Sequence, residues 1–213
     1  MENLLIHNTH TKDSQAAVSH SDALRLLKDG NHRFLSNSSI NRSFNKQIDL
    51  TSTGQYPFAA IVSCIDSRIP TEIVFDQGIG DIFNARVAGN FVNTDILGSL
   101  EFACKLAGSK LIVIMGHTSC GAVKGACDHA KLGNLTAMLD NITPAMVEVK
   151  TAKGVDRSSK NLDFVNKVAV QNVHLTIAKL KAGSPVLNEM IDAGEIAVVG
   201  AMYDVKSGKV SFI

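Results

Sequence analysis

The sequence predicts an α/β fold: a central, mostly parallel β-sheet flanked by helices, with an N-terminal helical arm and a C-terminal edge hairpin. Short apolar runs alternate with helical patterns along the chain, which is typical of strand–helix–strand units. Two of these runs end in turns that carry reactive side chains, as expected where open α/β sheets bind ligands. The length of 213 residues and the hydrophobic content of 45% suit a single such domain.

The first half of the chain contains the strands that define the sheet. Residues 1–20 are polar and aperiodic and predict a flexible arm, followed by one domain over residues 21–213. Ser21 suits the N-cap position of a helix over residues 21–35. The next elements are predicted as a polar loop over 37–56, a strand ending at Cys64, a short helix from Pro70, a strand over 81–87, a helix over 94–107, a strand over 110–115 and a helix over 119–132.

The second half of the chain is predicted to be mostly helical before it returns to the sheet. Residues 134–181 carry a helical pattern, and Pro185 suits the first turn of a short helix that ends near Ala193. An apolar run over 195–203 predicts a late strand, and a turn then leads into a last strand over 209–213. These two strands predict the edge hairpin.

Composition and charge exclude several classes of partner. The formal net charge is +1, so no strong field attracts nucleic acid or an anionic membrane surface. No apolar run approaches the ~18 residues of a membrane span. The N-terminus has neither a basic start nor a long apolar segment, and the four cysteines are therefore expected to be reduced thiols rather than disulfides. We expect a cytoplasmic protein with no nucleic-acid or membrane partner.

Three soft metal ligands follow two of the predicted strands. Cys64 ends the first apolar strand, and His117 and Cys120 follow the central strand. If both strands lie in one sheet, these side chains meet at its carboxyl edge, and zinc binds both imidazole nitrogen and thiolate sulfur. Three protein ligands with an open position are typical of a catalytic zinc, and four ligands are typical of a structural one. A structural zinc, or buried thiols without a metal, remains the alternative.

Asp66 and Arg68 follow the first of these ligands. They are separated by one residue, so both side chains can lie on the same side of an extended segment. A guanidinium group can then hold the carboxylate through two hydrogen bonds. The functional interpretation is that Arg68 positions Asp66 beside the metal, and the alternative is a structural ion pair at a strand end.

The two motifs, Cys64-Ile-Asp-Ser-Arg68 and His117-Thr-Ser-Cys-Gly121, resemble the two zinc motifs of the β-class carbonic anhydrases. The resemblance implies a zinc enzyme that reversibly hydrates CO2 to bicarbonate and a proton, with zinc held by Cys64, His117 and Cys120. It also implies a homo-oligomer, a dimer or a dimer of dimers, with the active site at the dimer interface. Further similarities lie in the N-terminal helix (23–34), Gly54-Gln55, residues 86–90, residues 99–102 and the hairpin at Tyr203.

The resemblance also implies roles for the residues around the metal. Asp66 accepts a hydrogen bond from zinc-bound hydroxide as it attacks CO2, and Arg68 fixes Asp66. In a closed, inactive state of some members, the matching aspartate instead becomes a fourth zinc ligand. Gln55 matches a glutamine that donates to bicarbonate, although a glutamine at a loop end is more often solvated. Phe83, Ala88 and Gly89 match positions that line a small apolar CO2 pocket, and Phe83 also fits an ordinary core position.

One departure from the family pattern concerns an allosteric bicarbonate pocket that uses a Trp, an Arg and a Tyr. Arg86 and Tyr203 match two of these residues, but Ile61 stands where the Trp would be, and the chain has no Trp. We therefore predict that this pocket is absent or weak and that Arg86 has a structural or interface role. Two alternative functions remain: hydrolysis of carbonyl sulfide or carbon disulfide on the same scaffold, and a non-catalytic zinc-binding role.

Overall fold

The computed structural model describes residues 9–213, and its centre is a five-stranded sheet with strand order β2-β1-β3-β4-β5. The first four strands pair in parallel, and β5 pairs antiparallel with β4 at the sheet edge. This arrangement confirms the predicted mixed sheet and the C-terminal edge hairpin. The strands are β1 (Ala59–Ser63), β2 (Ile82–Arg86), β3 (Leu111–His117), β4 (Ala197–Tyr203) and β5 (Val210–Phe212).

Helices cover both faces of the sheet. Within residues 9–213 they are α1 (Lys12–Ala17), α2 (His20–Leu35), α3 (Phe44–Thr51), α4 (Thr71–Val74), α5 (Thr94–Glu101), a π-helical segment (Phe102–Leu106), α6 (Gly121–Cys127), α7 (Gly133–Leu139), α8 (Thr143–Glu148), α9 (Leu162–Gly183) and α10 (Pro185–Asp192). None of the helices in this part of the chain is both long enough and apolar enough to cross a membrane.

The central strands are buried on both sides, which explains their continuous apolar runs. Every residue of β1 and β3 is buried, as expected for parallel strands covered by helices on both faces. Alternate strand residues enter two hydrophobic clusters. Ile61 and Val113 belong to one cluster, and Val62 and Ile112 belong to the other. The sheet is therefore a rigid base whose carboxyl edge presents the residues that follow β1 and β3.

The N-terminal segment differs from the expected flexible arm. Residues 1–8 lie outside the described residues, but Lys12–Ala17 forms helix α1. The buried Gln15 donates hydrogen bonds to the carbonyl oxygens of Pro57 and Ala107, at 2.7 and 2.8 Å. Helix α2 begins at His20 with Ser19 as its N-cap, because Ser19 and Asp22 form a reciprocal capping box. The expected cap at Ser21 was therefore wrong by two residues.

Several predicted boundaries also change. The expected loop over 37–56 contains helix α3, whose partly apolar face sequence analysis overlooked. The helix expected over 119–132 ends at Cys127, and His129 then adopts a positive φ of 51°. The mostly helical region over 134–181 consists of three helices separated by turns.

Helix α9 packs unusually close to the sheet. A Cβ atom on Gly116 of β3 would lie 2.8 Å from Val173 Cγ2, and one on Gly200 of β4 would lie 2.9 Å from Val173 Cγ1. Side chains at these two positions would push the helix away. The two glycines therefore fix the distance between α9 and the strands that lead to the carboxyl edge.

Candidate metal centre

The three predicted metal ligands meet at the carboxyl edge of the sheet. In the described part of the chain, one cluster of at least three candidate ligands could hold a metal ion, and it consists of Cys64, His117 and Cys120. Their ligand atoms lie within 4.8 Å of one another, and all three residues are buried. The sulfur atoms of Cys64 and Cys120 are 4.0 Å apart, whereas two sulfurs on one tetrahedral zinc lie about 3.8 Å apart. The cluster is thus close to zinc geometry.

The orientation of His117 leaves one nitrogen directed to the cluster. Its Nδ1 lies 2.9 Å from the carbonyl oxygen of Thr118, and since a carbonyl only accepts, Nδ1 carries the proton. The other nitrogen, Nε2, is buried and has no hydrogen-bond partner in the described residues. An unpaired buried acceptor is unfavourable unless a ligand satisfies it. The lone pair on Nε2 therefore fits a metal ion.

The two thiols of the cluster lie within hydrogen-bond distance of each other. All four cysteines are free. The contact with Cys120 lowers the pKa of Cys64, and the nearby His117 ring and the hydrogen bond from the Gly89 N–H act in the same direction. The shared hydrogen bond and burial raise the pKa of Cys120. Cys64 is therefore prepared as a thiolate, the form in which cysteine binds metals.

Asp66 and Arg68 form the expected pair next to the cluster. Arg68 donates from Nε to Asp66 Oδ1 at 2.9 Å and from its terminal nitrogen to Oδ2 at 2.7 Å. The Arg68 backbone N–H also donates to Oδ1, at 3.0 Å. These bonds from Arg68 hold the pKa of Asp66 well below its usual range. Asp66 Oδ2 lies 3.9 Å from His117 Nε2, so an ionised carboxylate faces the open side of the cluster.

Arg86 holds the backbone of the first ligand segment. Its side chain donates from Nε to the Cys64 carbonyl oxygen at 2.9 Å and from a terminal nitrogen to the Asp66 carbonyl oxygen at 2.6 Å. Both bonds are contacts with backbone, and the absence of the allosteric pocket stays a prediction. Ile61, which stands at the Trp position, is fully buried in β1.

Comparison with known proteins agrees with this geometry. The profile of the family described as "Carbonic anhydrase" matches residues 59–210. Carbonic anhydrase 2 of Mycobacterium tuberculosis is 34% identical over 194 residues, which cover 88% of this chain and 89% of the relative. The chain belongs to the β-class carbonic anhydrase family. Members of this family are carbonate dehydratases.

Solved structures of β-carbonic anhydrases share the fold. A β-carbonic anhydrase of Aspergillus fumigatus has a TM-score of 0.66 at 26% identity, covering 91% of this chain and 89% of the other. Two tetrameric β-carbonic anhydrases are described from Sordaria macrospora, and one chain has a TM-score of 0.66 at 25% identity, covering 78% of this chain and 85% of the other.

Sequence analysis missed the residues that support the ligands of this β-carbonic anhydrase. Thr118 Oγ1 donates to Asp204 Oδ1 at 3.0 Å and accepts from the Val205 N–H at 3.0 Å. On α9, Asn166 accepts from the Ser119 N–H between two of the ligands, and Asn172 donates to the carbonyl of Gly89, whose N–H donates to Cys64 Sγ. One signal was available for Asn172: an amide within an apolar helical stripe is a buried polar group that needs a partner.

The predicted substrate residues separate into two groups. Ala88 and Gly89 follow β2 and lie beside the cluster, since the Gly89 N–H donates to Cys64 Sγ at 3.4 Å. Gln55 precedes β1 and lines a cavity with Gly108 and Lys110, at the amino end of β3. Phe83 pairs in register with Ala60, near the start of β1. A single chain thus does not bring Gln55 or Phe83 to the metal ligands.

Proposed function

We propose that this β-carbonic anhydrase catalyses the reversible hydration of CO2 to bicarbonate and a proton, with zinc as its cofactor. The observation that carries the proposal is the position of Asp66, held by Arg68, beside a buried Cys64–His117–Cys120 cluster. A cluster of three ligands leaves one coordination position for water or substrate, which is typical of catalytic zinc.

The donor set favours zinc. Two thiols and one imidazole match zinc better than magnesium or calcium, which prefer oxygen ligands. The buried His117 Nε2, which lacks a partner in the described chain, would be satisfied by the ion. When bound, zinc supplies Lewis acidity that can lower the pKa of a water molecule to about 7.

Asp66 would act as the hydrogen-bond acceptor for the oxygen nucleophile. Its lowered pKa, caused mainly by Arg68, keeps the carboxylate ionised at neutral pH, so it accepts hydrogen bonds and donates none. By accepting a hydrogen bond from the nucleophile's O–H, Asp66 would direct the nucleophile's free lone pair toward CO2. Arg68 would restrict the carboxylate to this orientation.

The alternative role of Asp66, as a fourth zinc ligand in a closed state, requires a different arrangement. Both carboxylate oxygens are bonded to Arg68, and Oδ2 is 3.9 Å from His117 Nε2. Closing the site would break at least one of these bonds and move the carboxylate into the cluster. We propose that the arrangement with the Asp66–Arg68 pair intact is the active one.

A second copy of the chain would complete the substrate pocket. Gln55 precedes β1 and Cys64 follows it, so the five-residue length of the strand lies between them. This length corresponds to about 16 Å along the sheet. Gln55, and Phe83 near the same end of β1, could therefore contact substrate only in the site of another subunit. Ala88 and Gly89 would line the pocket from the same chain. We propose a homodimer or a dimer of dimers, in line with the tetrameric relatives from Sordaria macrospora.

Exposed apolar side chains support an oligomer. Ile73 is 60% exposed, Phe102 is 51% exposed and Leu106 is 77% exposed. The Phe102 ring packs against Phe83 with centroids 6.1 Å apart, so the residue proposed to reach a second site lies beside this exposed surface. Apolar side chains of this size are often covered by a partner.

Cytoplasmic placement is also part of the proposal, because all four cysteines are free thiols.

The test is stopped-flow CO2 hydration by zinc-loaded protein from about pH 6.5 to about pH 9, a range that extends above the pKa near 7 of zinc-activated water. Turnover across the whole range supports the active arrangement. Turnover only at the alkaline end would indicate that Asp66 occupies the metal at neutral pH. No turnover at full zinc occupancy would reject the proposal and favour carbonyl sulfide or carbon disulfide as substrate, or a binding role.

An Asp66→Ala variant tests the mechanism itself. Its zinc content should equal that of the wild type, because Asp66 is not one of the three clustered ligands. Its turnover should fall by about 100-fold or more, the usual effect of removing one group aimed at the reacting atoms. Asp163→Ala is a suitable control, since Asp163 forms only an exposed ion pair with Lys167. Unchanged turnover in the Asp66 variant would contradict the mechanism.

A further inference from the structure

Helix α9 supplies no candidate metal ligand, but it bonds directly to the segment that carries His117 and Cys120 and reaches Cys64 through Gly89. Asn172 donates from Nδ2 to the carbonyl oxygen of Gly89 at 2.8 Å, and the Gly89 N–H donates to Cys64 Sγ at 3.4 Å. Six residues earlier on the same helix, Asn166 Oδ1 accepts a hydrogen bond from the Ser119 N–H at 2.9 Å. Ser119 lies between the other two ligands, His117 and Cys120.

The bond from Asn172 fixes a backbone conformation that only glycine adopts easily. Gly89 has a φ of 84°, and a Cβ there would lie 2.4 Å from Ile142 Cδ1. The N–H and the C=O of Gly89 lie on either side of its Cα. Holding the carbonyl therefore restricts the rotation that would swing the N–H away from the sulfur of Cys64.

The bond to sulfur matters because the cluster concentrates negative charge. Two thiolates and one neutral imidazole carry two negative charges around a divalent ion, and hydrogen bonds to sulfur reduce the charge that each thiolate donates to the metal. Such bonds also hold the sulfur in one direction. The Gly89 N–H is thus placed to tune the Cys64–metal bond as well as to orient it.

The bond to Asn166 holds a second unusual conformation. Ser119 has a φ of 56°, in the left-handed region that residues with a side chain seldom adopt. This turn brings His117 and Cys120 to one cluster although only two residues separate them. The Asn166 side chain accepts the backbone N–H of Ser119 and so favours the turn before a metal is bound.

The helix that carries both amides is itself fixed on the sheet. Val173, next to Asn172, sits against Gly116 and Gly200 with no room for a Cβ at either position. Asn172 is 2% exposed, so it cannot exchange its partner for bulk water. The amide is therefore presented to the Gly89 carbonyl by a part of the fold that has little freedom to move.

We infer that Asn166 and Asn172 are positioning residues that fix Cys64 relative to His117 and Cys120. Asn172 acts through the Gly89 peptide, and Asn166 acts through Ser119. The inference rests on the proposed zinc site. Neither residue touches the metal or the substrate. Their effect is on the affinity for the ion and on the electronic character of the Cys64–metal bond.

The experiment compares Asn172→Leu with Thr176→Val, both at buried positions of α9 and each losing a polar group. Thr176 is one turn further along the helix and is 3% exposed. Zinc affinity is measured by competition with a chelator, and the thiolate-to-metal charge-transfer band is recorded after replacement of zinc by cobalt(II). Thermal unfolding of the metal-free proteins gives the structural contribution of each side chain separately.

Asn172→Leu should bind zinc about 10- to 100-fold more weakly, as is usual when an outer partner of a metal ligand is removed. Its cobalt charge-transfer band should shift because the sulfur has lost a hydrogen bond. Thr176→Val should leave both unchanged. A purely structural role would lower the unfolding temperature of metal-free Asn172→Leu but leave its zinc affinity and cobalt band at the wild-type values, and that result would overturn the inference.

Asn166→Ala is a second test variant. Asn166 is only half-buried, so its loss should disturb folding less than the loss of the buried Asn172. It should weaken zinc binding without shifting the cobalt band, because its partner Ser119 is not bonded to sulfur. Wild-type affinity in this variant would remove Asn166 from the inference. If wild-type protein binds no zinc, the proposed function fails instead, so the two failures are distinguishable.

Discussion

The two ligand segments at the carboxyl edge of the sheet are built in opposite ways. In the segment after β1, Arg86 holds the backbone, but the side chains of Asp66 and Arg68 pair only with each other, two residues apart, and remain partly exposed. The segment after β3 is more deeply buried and is held by distant residues, since Ser119 bonds to Asn166 and Thr118 bonds to Asp204.

This contrast suggests a division of roles. An acid whose side chain is 15% exposed and is held by one local arginine can move, which suits a group that follows the reacting atoms. A buried histidine and cysteine held from several elements cannot move without disturbing the fold, which suits metal ligands that must keep one geometry. Substitutions in and around the two segments test this division.

The largest effect is expected where the buried segment loses a ligand. Cys120→Ala should reduce bound zinc to a small fraction of one ion per chain and abolish CO2 hydration, because structural and catalytic zinc sites depend on their full ligand set. Cys127→Ala is the matched control, since Cys127 is equally buried, belongs to α6 and lies outside the cluster. Metal analysis and stopped-flow assays give both quantities. Equal zinc loss in the two variants would contradict the assignment.

A smaller effect is expected in the locally held segment. Arg68→Ala should retain zinc but lower turnover by roughly 10- to 100-fold, because a misplaced catalytic group reduces the rate by about this amount. Asp66 then loses two charge-assisted hydrogen bonds. Lys167→Ala, which removes an exposed ion pair elsewhere, should leave turnover unchanged. Loss of zinc from Arg68→Ala would show that this segment also determines metal binding, against the division of roles.

A smaller effect again is expected at Gly89, whose backbone contacts the sulfur of Cys64. Gly89→Ala should destabilise the metal-free protein by about 1–3 kcal/mol, from an unfavourable φ together with overpacking against Ile142. Gly154→Ala has the same φ of 84° but no atom within 4 Å of its added Cβ, so it isolates the conformational contribution and should be less destabilising. Urea unfolding measures both. Equal destabilisation would mean that the contact with Ile142 is relieved without energetic consequence.

The smallest effect is expected from a single supporting hydroxyl. Thr118→Val removes the hydroxyl that donates to Asp204 and accepts from the Val205 N–H. The loss should lower the free energy of unfolding by at most about 1–3 kcal/mol. Thr143→Val is the control, since the Thr143 hydroxyl makes one bond, to the Leu139 carbonyl at 3.3 Å. Chemical unfolding curves compare the two. If Thr118→Val equals its control, the second segment is not held through Asp204.

Much of the fold was predictable because it depends on local pattern. The buried strands β1 and β3 are continuous apolar runs, Pro70 directly precedes α4, and Gly108 follows the end of the π-helical segment. Errors arose where a local signal had two interpretations. Ser19 and Ser21 both suit an N-cap, and only the bond from the Asp22 N–H to Ser19 decides between them.

The candidate site divides along the same line. The candidate ligands could be predicted from residue type, because cysteine and histidine follow two apolar strands. The pairing of Asp66 with Arg68 could be predicted from their spacing of two, because such neighbours in an extended segment lie on the same side. The residues that stabilise the cluster were not predictable in this way. Asn172 and Gly89 are 83 positions apart, so their contact depends on where α9 crosses the sheet.

Residue type, apolar pattern and short spacing were therefore enough to predict the α/β class, the three candidate metal ligands and the Asp66–Arg68 pair. Only the tertiary structure decided that Asn166 and Asn172 support the ligands and that Gln55 lies at the opposite end of β1. Strand order and the close packing of α9 on Gly116 and Gly200 set these relations. They are properties of the packed chain as a whole, because many distant side chains determine them together.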